Sequence, residues 1–120
     1  MEIFHRDETT PFITADGSQI RELIHPNFCG AHNQSLAEAT LAPGGATTEH
    51  YHPRAEEIYY ILQGAARLRI EEQTRDLKAG DAVFISAGLR HKIWNIGPDE
   101  LRFLCCCAPA YSHDDTILTE

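Results

Sequence analysis

Turn-forming residues cut this chain into pieces too short for helices. Gly44-Gly45, Gln63-Gly64, Ala79-Gly80-Asp81, Ala87-Gly88 and Gly97-Pro98-Asp99 recur along it. Each puts residues that tolerate positive φ, or that fix φ, between runs of apolar and β-branched side chains. Those runs predict strands at 12–14, 19–24, 35–41, 47–52, 57–62, 65–70, 74–77, 82–85, 91–95 and 101–107. Strands at such spacing with no helix between them disfavour a parallel α/β sheet. They predict an all-β sandwich or barrel.

One of these strands carries metal-ligand chemistry. His50 and His52 are two residues apart, and on a strand i and i+2 point to one face, so both imidazoles can aim at a single cation. Pro53 favours a turn through Arg54 and Ala55 that delivers Glu57 from the start of the next strand, which adds an oxygen to two nitrogens. A third histidine, His91, follows a turn at Gly80, a short apolar strand and a second turn at Gly88.

The two stretches resemble the paired motifs of the cupin superfamily. The first reads glycine, five residues, His-x-His, three or four residues, glutamate, six residues, glycine, and Gly44, His50, His52, Glu57 and Gly64 fit it. In the second, Gly80, Gly88, His91 and Asn95 fit, and only the proline departs, with Ser86 in its place. That loss frees the φ of one turn and removes no ligand, so the fold is expected to survive it. The resemblance covers about 35–107. It implies an all-β double-stranded β-helix, the jelly-roll barrel, with one divalent metal per chain held by His50, His52, Glu57 and His91, and it suggests a homodimer. Residues 1–34 are then expected to add edge strands or an oligomer contact to the same domain. The tail, 108–120, is expected to fray or to pack on a second subunit rather than to act as a lid.

The family resemblance does not choose the chemistry, because cupins include dioxygenases, isomerases, decarboxylases, lyases, storage proteins and sensors. The residues narrow it. Three imidazoles and a carboxylate suit iron, manganese, nickel, copper or zinc, and an octahedral ion so held keeps two positions for water or substrate. Strand parity turns Tyr59 and Ile61 inward with Glu57, and Ile93 and Asn95 inward with His91. Tyr59 is therefore a candidate pocket phenol for proton transfer or substrate binding, read otherwise as a core aromatic. Thr47 or Thr48 is a candidate hydroxyl near the ion, and Ile93 a candidate wall. Asn95 is expected to be structural. Glu56 has the opposite parity and breaks the six-residue gap to Gly64. Arg90 and Lys92 lie opposite His91, which leaves the pocket short of cations and favours a neutral or singly anionic oxygen chelator. The leading reading is a metal-dependent, dioxygenase-type enzyme acting on a small molecule. A non-redox isomerase or lyase, and a non-catalytic ligand-binding module, are the alternatives.

Bulk properties exclude other classes. At 120 residues the chain supports one core. A net charge of −8 with ten basic residues offers nothing to a nucleic-acid backbone. The start lacks a signal-peptide pattern, and no apolar run approaches the roughly eighteen residues that span a bilayer, so a cytoplasmic protein without a membrane partner is expected. Of the four cysteines, Cys105, Cys106 and Cys107 are consecutive on a predicted strand. Residues sharing a face there are about 6.5–7 Å apart, poor geometry for a disulfide, so they are read as small core residues. His5, His25, His32 and His113 have no partner at ligand spacing and are read as surface or loop histidines, and Glu49 as solvated.

Overall fold

The computed structural model describes residues 1–120. The chain is nearly all β, with 48% of residues in strands. The strands are β1 (Phe12–Ile13), β2 (Gln19–Ile24), β3 (Ser35–Leu41), β4 (His50–Tyr51), β5 (Glu56–Gln63), β6 (Ala65–Ile70), β7 (Gln73–Lys78), β8 (Ala82–Ile85), β9 (His91–Asn95), β10 (Leu101–Ala108) and β11 (Ile117–Leu118). Short 3-10 turns at Arg6–Glu8 and His113–Asp115 complete the order. The segments expected from 12 to 107 are all present. β11, which closes the tail, was not expected.

All pairings are antiparallel and build two sheets. The larger runs β1-β2-β3-β10-β5-β8 and the smaller β11-β4-β9-β6-β7. Consecutive strands often sit in different sheets, which is the jelly-roll connection that covers most edges. Side-chain alternation then fills the space between the sheets. In β5, Glu57, Tyr59 and Ile61 are buried and Glu56, Ile58 and Tyr60 are exposed; in β9, His91, Ile93 and Asn95 are buried. Ile20, Ala39, Leu41, Ile61, Leu101 and Phe103 from the larger sheet meet Ala66, Leu68 and Ile93 from the smaller. The core residues Ile20, Ala37, Ala39, Tyr59 and Phe103 share a cavity with His50 and His52, so the apolar core runs up to the imidazoles.

Two motif glycines show what the turns require of the backbone. Gly64 has φ +96°, and a Cβ on it would lie 3.0 Å from the Glu100 carbonyl oxygen and 3.1 Å from Leu101 Cα. Both conformation and space exclude a side chain. Gly88, with φ +85°, turns the chain between β8 and β9 and donates its N–H to the His52 carbonyl at 2.8 Å. The same turn closes from Leu89 N–H to the Ser86 carbonyl at 3.3 Å, so it forms with serine at the proline position.

The N-terminal segment belongs to this fold. β1 and β2 extend the larger sheet at one edge, and Arg6 Nε donates to the buried Glu38 carboxylate of β3 at 2.9 Å. The tail does not fray: β11 pairs with β4, and Asp115 is buried. Asp115 accepts hydrogen bonds from Arg54 N–H at 3.0 Å and Ala55 N–H at 2.9 Å, and so caps the turn between β4 and β5.

Candidate metal centre

His50 on β4 faces His91 on β9 directly across the ladder. His52 follows β4, and Glu57 enters from β5 of the other sheet. All four side chains are buried. The ligand atoms of the three histidines lie within 4.8 Å of one another. Nε2 of His52 and Nε2 of His91 are each 3.4 Å from Glu57 Oε1.

Backbone carbonyls decide which imidazole nitrogen is free. His50 Nδ1 meets the Thr48 carbonyl at 2.7 Å, His52 Nδ1 the Asp115 carbonyl at 3.0 Å, and His91 Nδ1 the Leu89 carbonyl at 3.0 Å. A carbonyl only accepts, so each Nδ1 carries the proton and each Nε2 presents its lone pair inward. Cys107 fixes the carboxylate in the same way: its thiol donates to Glu57 Oε2 at 3.3 Å and leaves Oε1 toward the histidines. His91 Nε2 and Glu57 Oε1 are buried and have no hydrogen-bond partner. Buried polar atoms go unpaired only at a cost of about 1–3 kcal/mol each, and a cation is a partner that one carboxylate oxygen and three imidazole lone pairs can share. The residues fit one metal ion.

Electrostatics in the site follow from burial and neighbours. Burial lowers the His50 pKa, helped by the neighbouring His91. Burial also acts to lower that of His52, but the Glu57 carboxylate outweighs it and raises the value. Burial opposes ionisation of Glu57, and the two imidazoles of His52 and His91 overcome it and hold the carboxyl below its usual range. Desolvation pushes the Tyr59 phenol and the Cys105 and Cys107 thiols well up, with Glu57 adding to the effect.

A cavity of about 40 Å³ opens beside the imidazoles. Its lining includes His50, His52, Glu57, Tyr59, Phe103, Cys105, Cys107 and Tyr111, with Ile20, Ala37 and Ala39 as an apolar wall. Tyr59 thus lies on the cavity, its ring 4.9 Å from that of Phe103. Thr47, Thr48 and Ile93 do not line it. Thr47 Oγ1 accepts from Ile93 N–H at 3.1 Å, Thr48 contributes the carbonyl that holds His50, and Ile93 is in the core. Asn95 braces the chain: its amide donates to the Leu41 and Asp99 carbonyls and its oxygen accepts from Gly97 N–H. No lysine or arginine lines the cavity; Arg90 pairs with Glu71 and Lys92 with Glu120.

Several residues of this site are not marked by motif spacing. Asp16 and Glu22 bring two more carboxylates to the lining, from the turn before β2 and from β2 itself. Cys105 and Cys107, read as core residues, contribute to the cavity wall as well. His25, read as a surface histidine, is mostly covered, its Nε2 2.8 Å from the Tyr111 carbonyl. Glu49 is not simply solvated, since it accepts from Arg69 at 2.6 Å and from Thr119 at 2.7 Å. The alternating inward parity of β2 would have picked out Glu22; no periodicity marks Asp16, which lies in a turn.

The comparisons with known proteins agree with this architecture. The Cupin domain family model matches residues 37–107. An uncharacterized protein of Methanocaldococcus jannaschii is 46% identical over 114 residues, 95% of this chain and 91% of that one. The tetracenomycin polyketide synthase protein TcmJ of Streptomyces glaucescens is 36% identical over 68% of this chain, which spans 54% of that relative's length. Among solved structures, a predicted oxalate decarboxylase from Thermotoga maritima superimposes with a TM-score of 0.80 at 26% identity, over 90% of this chain and 99% of that one. No helix is long and apolar enough to cross a membrane. Fold, motif glycines and the inward-facing histidines agree with the family match: the chain belongs to the cupin family.

Proposed function

We propose that this protein is a metal-dependent cupin enzyme whose substrate is a small, neutral or singly charged oxygen chelator, with dioxygenase-type oxidation as its reaction. One observation carries the reading: three imidazoles, each oriented by a backbone carbonyl, present proton-free Nε2 atoms beside an unpaired Glu57 oxygen at the edge of a cavity. A divalent ion held there by His50, His52, Glu57 and His91 would supply Lewis acidity and, for iron, manganese, nickel or copper, a change of valence.

The chain's own residues set the rest. The cavity beside the imidazoles is narrow, about 40 Å³, so the part of the substrate that reaches the ion is compact. Apart from the ion itself, the occupant meets the carboxyl groups of Asp16 and Glu22 and no lysine or arginine, which favours neutral or singly anionic hydroxy acids, diketones and enediols over a dianion such as oxalate. Phe103, Ile20, Ala37 and Ala39 exclude water from the side of the occupant away from the imidazoles. A non-redox isomerase or lyase is the second reading. The feature that favours it is Asp16 Oδ2, a carboxylate oxygen with no hydrogen bond at 3.8 Å from His50 Nε2, in reach of a substrate proton.

Metal-exchanged protein separates the readings. Apo-protein loaded in turn with iron, manganese, nickel, copper and zinc is screened against hydroxy acids, diketones, catechols and keto-sugars with an oxygen electrode and mass detection. Oxidation predicts oxygen uptake that requires a redox-active ion, because zinc does not change valence. Turnover by the zinc form under nitrogen would reject oxidation and establish the isomerase or lyase. Tight binding without conversion in every form would make the chain a binding module.

A further inference from the structure

Asp16 belongs to neither motif and lies in the turn that joins β1 to β2. Its Oδ1 is saturated: it accepts from Thr14 Oγ1 at 2.6 Å, Ser18 Oγ at 2.6 Å and Ser18 N–H at 2.9 Å. Three donors on one oxygen lock the carboxylate plane, since any rotation short of a half-turn, which merely exchanges the two equivalent oxygens, would lengthen all three hydrogen bonds. The turn is itself fastened to the metal centre, because the Asp16 carbonyl accepts from Thr48 N–H at 2.7 Å and Thr48 in turn orients His50. Oδ2 is left with no hydrogen bond, on the cavity lining, 3.8 Å from His50 Nε2. An oxygen held this firmly and left this free is not needed to stabilise the turn, for which Oδ1 suffices.

We propose that Asp16 is the specificity-determining residue of the site, its Oδ2 accepting a hydrogen bond from an O–H of the bound chelator. The inference rests on the metal-chelator reading above and sharpens it: the preferred substrate carries a hydroxyl or enol on one of its chelating oxygens, and its ether or fully deprotonated analogue is discriminated against. The cost falls on the wrong ligand, because an analogue without the proton sets an oxygen lone pair against the Oδ2 lone pairs in a site with no cationic side chain to relieve it. Selection against a missing O–H is larger than selection on apolar size, because it leaves a polar group unpaired.

The test is a two-by-two comparison on zinc-loaded protein, chosen because zinc permits binding without redox turnover. Glycolate and methoxyacetate offer the same pair of oxygens, and only glycolate has the O–H. Their dissociation constants are measured by protein-observed NMR for the wild type and for Asp16→Asn, in which Oδ1 can keep its three donors and only Oδ2 is replaced. The wild type is expected to prefer glycolate. In Asp16→Asn that preference is expected to fall by about tenfold or more, with zinc content and the dispersed spectrum unchanged. A preference that survives in the variant, or a wild type indifferent to the two acids, overturns the role of Asp16 and leaves the chelator reading standing. Zinc lost from Asp16→Asn overturns it too, since the carboxylate would then serve the ion. A zinc-loaded wild type that binds neither acid sinks both.

Discussion

Each imidazole of the centre spends one nitrogen on a main-chain carbonyl, and that division of labour sets the first expectation. Removing two of the three aromatic donors leaves His91 and Glu57, too few to compete with water for a divalent ion. The double variant His50→Ala/His52→Ala is expected to carry no stoichiometric metal while keeping its β-sheet circular dichroism; metal retained at about one ion per chain would refute the assignment. Such residues are legible in sequence because strand parity places them. His50 and His52, and then Glu57, Tyr59 and Ile61, alternate in the sequence as they alternate in burial. Asp16 and Cys107 are not legible that way. Cys107 reaches the site only because β10 pairs with β5 so that it stands opposite Glu57, a register no local pattern encodes. Asp16 arrives through a turn fastened to Thr48, thirty-two positions further along the chain. For the same reason Thr47 reads as a possible pocket hydroxyl in sequence, while in the fold its oxygen is taken by the N–H of Ile93.

Among elements, the tail from Ser112 to Leu118 is the one whose place least resembles its sequence. Two apolar residues, Ile117 and Leu118, between polar neighbours are too few to announce a strand, and β11 exists because β4 offers it an open edge. Once docked, it fixes β4 and His52 from outside. The Asp115 carbonyl orients His52, Thr116 Oγ1 lies 3.3 Å from the same Nδ1, and the Asp115 carboxylate holds Arg54 and Ala55 N–H groups. Asp115→Ala would leave the Ala55 N–H, in a residue only 3% exposed, without an acceptor. It is expected to cost about 2–4 kcal/mol in urea unfolding and to weaken metal affinity several-fold through the loosened turn before Glu57. Unchanged stability together with unchanged metal affinity would show that the tail is a passive cover. The core strands, by contrast, were predictable because glycine and proline bound nearly every one of them. Where the bounds drift, as at β4, which is shorter than the 47–52 run, the residues in between are held by isolated bonds such as Thr47 N–H to the Ile93 carbonyl.

At the scale of the whole molecule, the jelly roll encloses its inner faces and leaves an apolar patch on the outer face of the larger sheet, at β5 and β8. Ile58 is 44% exposed, Tyr60 41% and Phe84 56%, and the ladder between β5 and β8 sets Ile58 directly beside Phe84. Contiguous exposed apolar side chains on a strand face are costly in water, and a second copy of the same face offers a self-complementary cover that closes with two-fold symmetry. The covering segment could in principle come from this chain, but the N-terminal strands occupy the opposite end of the larger sheet, beyond β3, and the tail docks on the smaller sheet. A homodimer through β5 and β8 is therefore expected. Sedimentation at roughly tens of micromolar protein should give the dimer mass, and Ile58→Glu should shift it toward the monomer, because a buried unpaired carboxylate would then sit at each centre of the interface. The inward residues of β5 are untouched by that substitution, so the variant should keep its metal. A wild type that sediments as a monomer would overturn the dimer, and a dimer indifferent to Ile58→Glu would move the interface to another face.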